Sequence, residues 1–303
     1  VQIICPIHGV FEQKPNCHLN GKGYQKCSNN GSPSSYEREI SEFLTEYNID
    51  HETLNQTLIK PYELDIVIPS HNLAIEFDGL YWHSELFKDK NYHKMKTDLC
   101  DQQGFQLIHI FEDEWLEKSE LIKKMILHKL GLYNNRVYAR NTVIGFPSKQ
   151  EKKQFYEENH IQGDVVSKVD LGLYYQNKLV ACLSFKKMKN EGEWDLVRYA
   201  TSHNVVGGFS KLLNYFCKNY GWNKIVTFAN RRYSKGDLYL KNGFEYQYDS
   251  QLNYYYVYID KNSKIKYNRI AFQKHKLKNK LKHYDPNLSE HENMLNNGYY
   301  RLY

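Results

Sequence analysis

No apolar run in this chain is long enough to cross a bilayer, and a mean hydropathy of −0.73 agrees in excluding a transmembrane helix. The first residues lack the basic-then-apolar order of a secretory signal. A disulfide framework is missing too: of six cysteines, Cys5, Cys17 and Cys27 fall near the start, while Cys100, Cys182 and Cys217 stand singly. The scattered three read as small core residues in a reducing, cytoplasmic setting. An initiator methionine is absent, and the chain opens inside a Cys/His motif, as an excised fragment would. Acids are absent from Lys264 to His283, where eight Lys or Arg stand with Tyr267, Phe272 and two histidines between them. So one-sided a stretch repels itself without a polyanion nearby, which points to double-stranded DNA as the partner.

The chain has 303 residues, enough for two domains with sizeable cores. Its 41 Lys and Arg against 35 Asp and Glu give +6, and its 27 tyrosines supply core volume and surfaces on which bases can stack. The most informative stretch runs from Glu63 to His83. Two apolar runs, ELDIVI and LAIEFD, flank Pro69-Ser-His-Asn72, the composition of a hairpin turn. Each run carries carboxylates inside a core-like pattern. Strand alternation turns Glu76 and Asp78 to one face, and closing the hairpin sets Asp65 roughly opposite Glu76 to Asp78. Carboxylates gathered on a sheet repel one another unless a cation joins them, and an oxygen-rich site of this kind suits Mg²⁺. The alternative is an exposed acidic strand ending in an Asp78-Gly79 turn.

Upstream, Cys5, His8 and Cys27 with His18 or Cys17 make a zinc-knuckle-like segment over residues 1–30; Cys5, His8, His18 and Cys27 form the candidate Zn²⁺ set. Ser34 and Glu37 have capping-box spacing before a helix with Ile40, Phe43, Leu44 and Tyr47 on its apolar stripe. Glu37 is then either the capping carboxylate or a glutamate that reaches the metal site. Past the hairpin, a helix through Lys88–Gln103, capped at Gly104, puts His93, Lys96 and Cys100 on one face. A strand over Phe105–Phe111 and a helix with Leu121, Ile122, Met125 and Leu130 inward, stopped at Gly131, complete an α/β unit. A second unit begins near Val137 with the Ser148/Glu151 capping spacing and a hairpin around Gln176-Asn-Lys178. In it, Gly207-Gly208 enters a helix, either to cradle a phosphate or for close packing.

The Leu64–Pro69 and Leu73–His83 motifs, with Tyr92-His93-x-x-Lys96 and the Gly104–Ile110 strand, resemble the PD-(D/E)XK nuclease superfamily. Within it the similarity is to the branch around the very-short-patch repair endonuclease and related phage homing endonucleases. The resemblance implies a restriction-endonuclease-like α/β (α+β) fold over 31–134. It also implies roles for Glu37 (first-helix glutamate), Asp65 (metal ligand), Glu76 (acidic second strand) and His83 (catalytic histidine), with Mg²⁺ on Asp65 and Glu76. The motif's lysine position holds Asp78, which leaves that role to His83, His93 or Lys96. Residues 135–260 resemble the GNAT acetyltransferase fold in element order, without its Gly-x-Gly loop. Residues 261–303 complete the chain as a basic DNA-binding tail. The expected activity is metal-dependent endonucleolytic hydrolysis of double-stranded DNA of the homing type. Alternatives are a very-short-patch-type nickase, an acetyl-CoA-dependent acetyltransferase with a DNA-binding N-terminal half, or DNA binding without catalysis.

Overall fold

The computed structural model describes residues 1–5, 9–15, 34–133, 135–260 and 264–303. Of the expected zinc ligands, the side chain of Cys5 and all of His8, His18 and Cys27 lie outside the described residues, as does Cys17. The chain falls into two units. Val1–Phe77 groups with Asp98–Leu107, and Asp78–Thr97 groups with Ile108–Tyr303. Residues 31–134, expected as one domain, are shared between them.

The first unit opens with the antiparallel pair β1 (Gln2–Cys5) and β2 (Gly9–Glu12). Helix α1 (Ser35–Glu46) starts where expected: Ser34 Oγ accepts the Glu37 N–H at 3.2 Å, and Ile40, Phe43 and Leu44 are its buried stripe. Strands β3 (Glu52–Asn55), β4 (Leu64–Ile68) and β5 (Leu73–Asp78) follow, antiparallel in sequence, with Ile66 opposite Ile75 and Ile68 opposite Leu73. The β4–β5 turn is the predicted Pro69–Asn72, a short helical turn that Asn72 closes at φ 48°. Asn tolerates this left-handed conformation because its short polar side chain bonds locally. All six residues of β5 are buried, so its two carboxylates are held out of bulk water. The unit's core joins Ile59, Leu64, Val67, Ala74, Cys100 and Leu107. At roughly 1.5–3 kcal/mol per buried aliphatic side chain, these fix the β4–β5 register.

Helix α2 (Tyr92–Gln102) begins four residues later than expected. Asp89 explains the delay: its carboxylate accepts the Asn91 N–H at 2.8 Å and holds a turn before the helix. Gly104 caps its far end at φ 79°. Strand β6 (Gln106–Phe111) completes the sheet order β3-β4-β5-β6, and α3 (Glu112–Lys129) runs on from it. On α3 the expected inward set is turned by one position. Ile122 and Leu130 are buried as expected, Leu121 and Met125 are half-buried, and Ile126 and Leu127 fill the interior.

In the second unit β7 (Arg136–Tyr138) precedes β8 (Val143–Gly145), α4 (Lys149–Asn159), β9 (Val169–Tyr175), β10 (Lys178–Lys187) and β11 (Glu193–Thr201). Then come β12 (Asn204–Val206), which pairs with β7, α5 (Gly208–Asn219) and β13 (Lys224–Thr227). A five-stranded sheet runs β13-β11-β10-β9-β8, antiparallel except for the β11/β13 pair. Alternation along β10 sends Leu183 and Phe185 to the core that α5 fills with Leu212 and Phe216. Phe185 stacks on Phe216 with centroids 3.7 Å apart. Cys182 and Ser184 face the other way, where Phe155 and Tyr156 of α4 cover Cys182 and the Tyr156 hydroxyl meets Ser184 Oγ at 2.8 Å. The glycine pair before α5 is explained locally. Gly207 takes φ 76°, and a Cβ on Gly208 would lie 2.8 Å from Val205 Cγ1.

After α6 (Asp237–Leu240), a three-stranded sheet joins β15 (Lys264–Asn268), β14 (Tyr255–Ile259) and β16 (Tyr299–Leu302). The basic stretch is thus a strand and a short folded segment, with α7 (Lys274–Leu277) followed by α8 (Glu290–Leu295). Phe272, Leu277 and Leu281 pack inward with Tyr256 and Met294, while Lys274, Lys278, Lys280 and Lys282 are exposed. Among the described residues no helix is long and apolar enough to cross a membrane.

Candidate functional site

In the first unit the hairpin brings Asp65 and Glu76 together. Asp65 lies one step before Ile66 and Glu76 one step after Ile75, the paired positions, so the two oppose each other across β4 and β5. Asp65 Oδ2 accepts the Phe77 N–H at 2.7 Å, and Glu76 Oε1 accepts the Asp65 N–H at 3.3 Å. Each carboxylate is therefore clamped to the other's strand. Glu76 is 2% exposed. Two hard oxygen groups fixed on adjacent strands fit Mg²⁺ by donor type. Glu37 is half-buried at the third position of α1, its N–H held by Ser34.

The second unit takes up the chain at Asp78, at the end of β5. The turn after it is tight: the His83 N–H donates to Gly79 O at 3.1 Å, and buried Ser84 bonds Tyr81 O at 2.8 Å. This aims His83 Nδ1 at Asp78 Oδ1, 2.9 Å away. From the first turn of α2, His93 Nε2 lies 3.3 Å from the same oxygen and 2.9 Å from His83 Nδ1. From β6, His109 Nδ1 meets Asp78 Oδ2 at 2.9 Å. Asp78 is fully buried, which by itself raises a carboxyl pKa. The charges of His93, His109 and His83 and the His109 hydrogen bond outweigh burial and hold it well below the usual carboxylate range. Asp78 is accordingly ionised, hydrogen-bonded to His109 and flanked by His83 and His93. His83 is the most accessible of these, its side chain 16% exposed against 10% for His93 and 1% for His109.

Surrounding groups fix the imidazoles. Thr97 Oγ1 donates to His93 O at 3.0 Å and lies 3.1 Å from His109 Nε2. Lys96, one turn after His93, is buried with its ammonium 5.3 Å from the Tyr92 ring. The Leu80 N–H donates to Glu112 Oε2 at 3.0 Å, and Glu112 also binds Lys264 at 2.8 Å. The His109 N–H donates to Arg232 O at 2.8 Å. Arg232 in turn forks onto Glu114 at 2.8 and 2.9 Å and lies 4.1 Å over Phe111. Burial opposes ionisation of Glu114, but Arg232 and Lys266 together bring its pKa below the ordinary value. Two lysines of the basic stretch, Lys264 and Lys266, thus find their counter-charges within the chain, at Glu112, Asp113 and Glu114.

Of the expected residues, the fold joins Asp65 with Glu76, and Asp78 with His83 and His93. Lys96 shares α2 with His93. Missing from the expected set were His109 and Thr97. A single imidazole in the apolar run Phe105–Phe111 was the available signal for His109; Thr97 had none. Asp78, His93 and His109 each offer a ligand atom, all within 4.8 Å of one another, so these three could hold a metal ion.

No protein-family model matches the chain, and no curated protein matches it. Among solved structures it is similar to one described as the homing endonuclease I-Bth0305I catalytic domain. That likeness has 26% identity over 32% of this chain and 95% of the other, with a TM-score of 0.28.

Proposed function

We propose that the chain is a metal-dependent endonuclease of the homing type that hydrolyses phosphodiester bonds in double-stranded DNA. The observation that carries this reading is the fully buried Asp78 carboxylate, held ionised, with nitrogens of His83, His93 and His109 within 3.3 Å of it and His83 the most accessible of the three. Such an arrangement orients an imidazole for proton transfer. Asp65 and Glu76 would hold Mg²⁺, which when bound polarises a phosphate and favours hydroxide near neutral pH. In the second unit His83 would take or give a proton, and Lys96 would offset negative charge on a phosphate. Glu37, on α1, is proposed as a further carboxylate for this metal. The exposed Lys274, Lys278, Lys280 and Lys282 supply phosphate contacts, which position DNA without reading its sequence.

Residues 135–260 serve in this reading as a GNAT-like scaffold for which DNA-facing contacts, rather than acetyl transfer, are proposed. The φ of Gly207 and the close packing at Gly208 already explain the glycine pair that a phosphate cradle would need. The test is incubation of supercoiled DNA carrying candidate target loci with the protein, with and without Mg²⁺, beside Asp65→Ala. Metal-dependent nicking or linearisation lost in the variant, with DNA affinity kept within about twofold, supports the assignment. Cleavage by Asp65→Ala at the wild-type rate refutes it.

A further inference from the structure

We infer that Asp78, His93 and His109 form a binding site for a divalent transition metal of the zinc or manganese class, with donor groups separate from those proposed for Mg²⁺. Three observations carry this, and none depends on the nuclease reading.

Donor chemistry comes first. Two imidazoles and one carboxylate suit zinc, iron, nickel or manganese, whereas Mg²⁺ prefers oxygen alone. Three protein ligands with a remaining position is also the pattern of reactive rather than structural zinc. The dimensions agree. His109 Nδ1 is 2.9 Å from one oxygen of Asp78, and His93 Nε2 is 3.3 Å from the other. Ligand atoms about 2.0–2.1 Å from a common metal stand at roughly such separations from one another.

The second observation is the Asp78 carboxylate itself. Its Oδ1 is fully buried and accepts no hydrogen bond, although His83 Nδ1 and His93 Nε2 lie 2.9 and 3.3 Å away. Those two nitrogens instead share a hydrogen bond of 2.9 Å with each other. A cation at that point would give this buried oxygen the directed partner that neither nitrogen supplies.

The third is the partner of His109 on its far side. Thr97 gives its hydroxyl proton to His93 O, which leaves its oxygen, 3.1 Å from His109 Nε2, free to accept, while His109 Nδ1 is the nitrogen aimed at Asp78. Metal-bound histidines characteristically donate their other N–H to a fixed acceptor, and Thr97 is that acceptor. His83 stands at the open side; a metal on His93 Nε2 displaces its hydrogen bond and leaves the more exposed imidazole able to turn outward.

The experiment uses the full chain carrying Cys5→Ser, Cys17→Ser and Cys27→Ser, so that thiolates at the N-terminus do not contribute. After chelator stripping, Zn²⁺, Mn²⁺, Co²⁺ and Mg²⁺ are titrated separately by calorimetry, and the Co²⁺ complex is read by visible absorption. One equivalent of Zn²⁺ or Co²⁺ should bind, with a spectrum free of thiolate bands. Binding should be lost in His109→Gln and Asp78→Asn and weakened about 10–100-fold in Thr97→Val, which touches no metal. Far-UV circular dichroism confirms that each variant is folded, and Thr97→Val keeps the test decisive if the others are not. Absence of Zn²⁺, Mn²⁺ and Co²⁺ binding, or equal binding by the folded His109→Gln variant, overturns the site and leaves His109 as a hydrogen-bond partner of Asp78. The readout is binding, so failure of DNA cleavage does not bear on it.

Discussion

Replacing Glu114 by Gln tests whether the ion-pair fork behind the imidazole cluster holds it in place. The substitution keeps shape but turns one of two oxygens facing Arg232 into an NH₂ group. A charge-assisted hydrogen bond is worth about 1.5–3 kcal/mol, and breaking a buried ion pair by removing one partner costs about 3–5 kcal/mol. Glu114 and Arg232 are 12% and 14% exposed, so the upper range applies to Arg232. Lys266 is less affected because Asp113 remains 2.9 Å from it. The expected loss is about 3 kcal/mol, or roughly 6–12 °C in Tm for a domain of this size. Because the His109 N–H rests on Arg232 O, the loss should appear together with displacement of His109 and reduced cleavage. The sign with pH is fixed. Glu114 ionises below its ordinary value, so its contribution is present above about 4.5 and fades as pH falls through the lower folded value. The gap between wild type and variant should therefore narrow in acid. Urea and thermal unfolding at pH 7.5 and pH 4 measure both effects. A difference under about 0.5 kcal/mol at pH 7.5 would refute the argument, since it is no more than an unremarkable surface change gives.

Other consequences follow from the same structure. Burial, with Arg198 and Lys118 adding to it, lowers the His160 pKa to about 3. The unfolded chain then binds a proton that the folded chain refuses between about 6.5 and 3, and stability is full only above 6.5. At pH 5 wild type should lose about 2 kcal/mol relative to pH 7.5, a slope that His160→Asn lacks; parallel unfolding curves would contradict this. Gly208→Ala forces a methyl to within 2.8 Å of Val205 and should cost about 1–3 kcal/mol, by overpacking. Gly207→Ala has its nearest neighbour at 3.6 Å and should cost about 1 kcal/mol, through its positive φ alone. Equal costs, read from denaturant midpoints, would dismiss the packing explanation. Changing Lys274, Lys278, Lys280 and Lys282 to Ala should lower the slope of log K against log salt for DNA by up to about 3–4 and leave stability within about 0.5 kcal/mol. An unchanged slope would remove this face from the DNA contact.

Local chemistry made much of the molecule legible in the sequence. The Pro69–Asn72 turn, the Ser34 cap, the stop at Gly104 and the β9–β10 hairpin each follow from a few adjacent residues. The opposition of Asp65 and Glu76 then followed from strand alternation, because a hairpin's register is set by its own turn. His83 and His93 could be named because they lie within 15 residues of Asp78. What the sequence could not show was which distant groups would meet them. His109 reaches Asp78 across 31 positions, Arg232 reaches Glu114 across 118, and Lys264 reaches Glu112 across 152. Such pairs leave no trace in periodicity or composition, since strand order and burial select them only once the chain has closed. The basic stretch shows the difference most plainly. Its charge was fixed by the sequence, while the division between lysines neutralised by the chain's own acids and lysines left in water was decided by the pairing of β15 with β14.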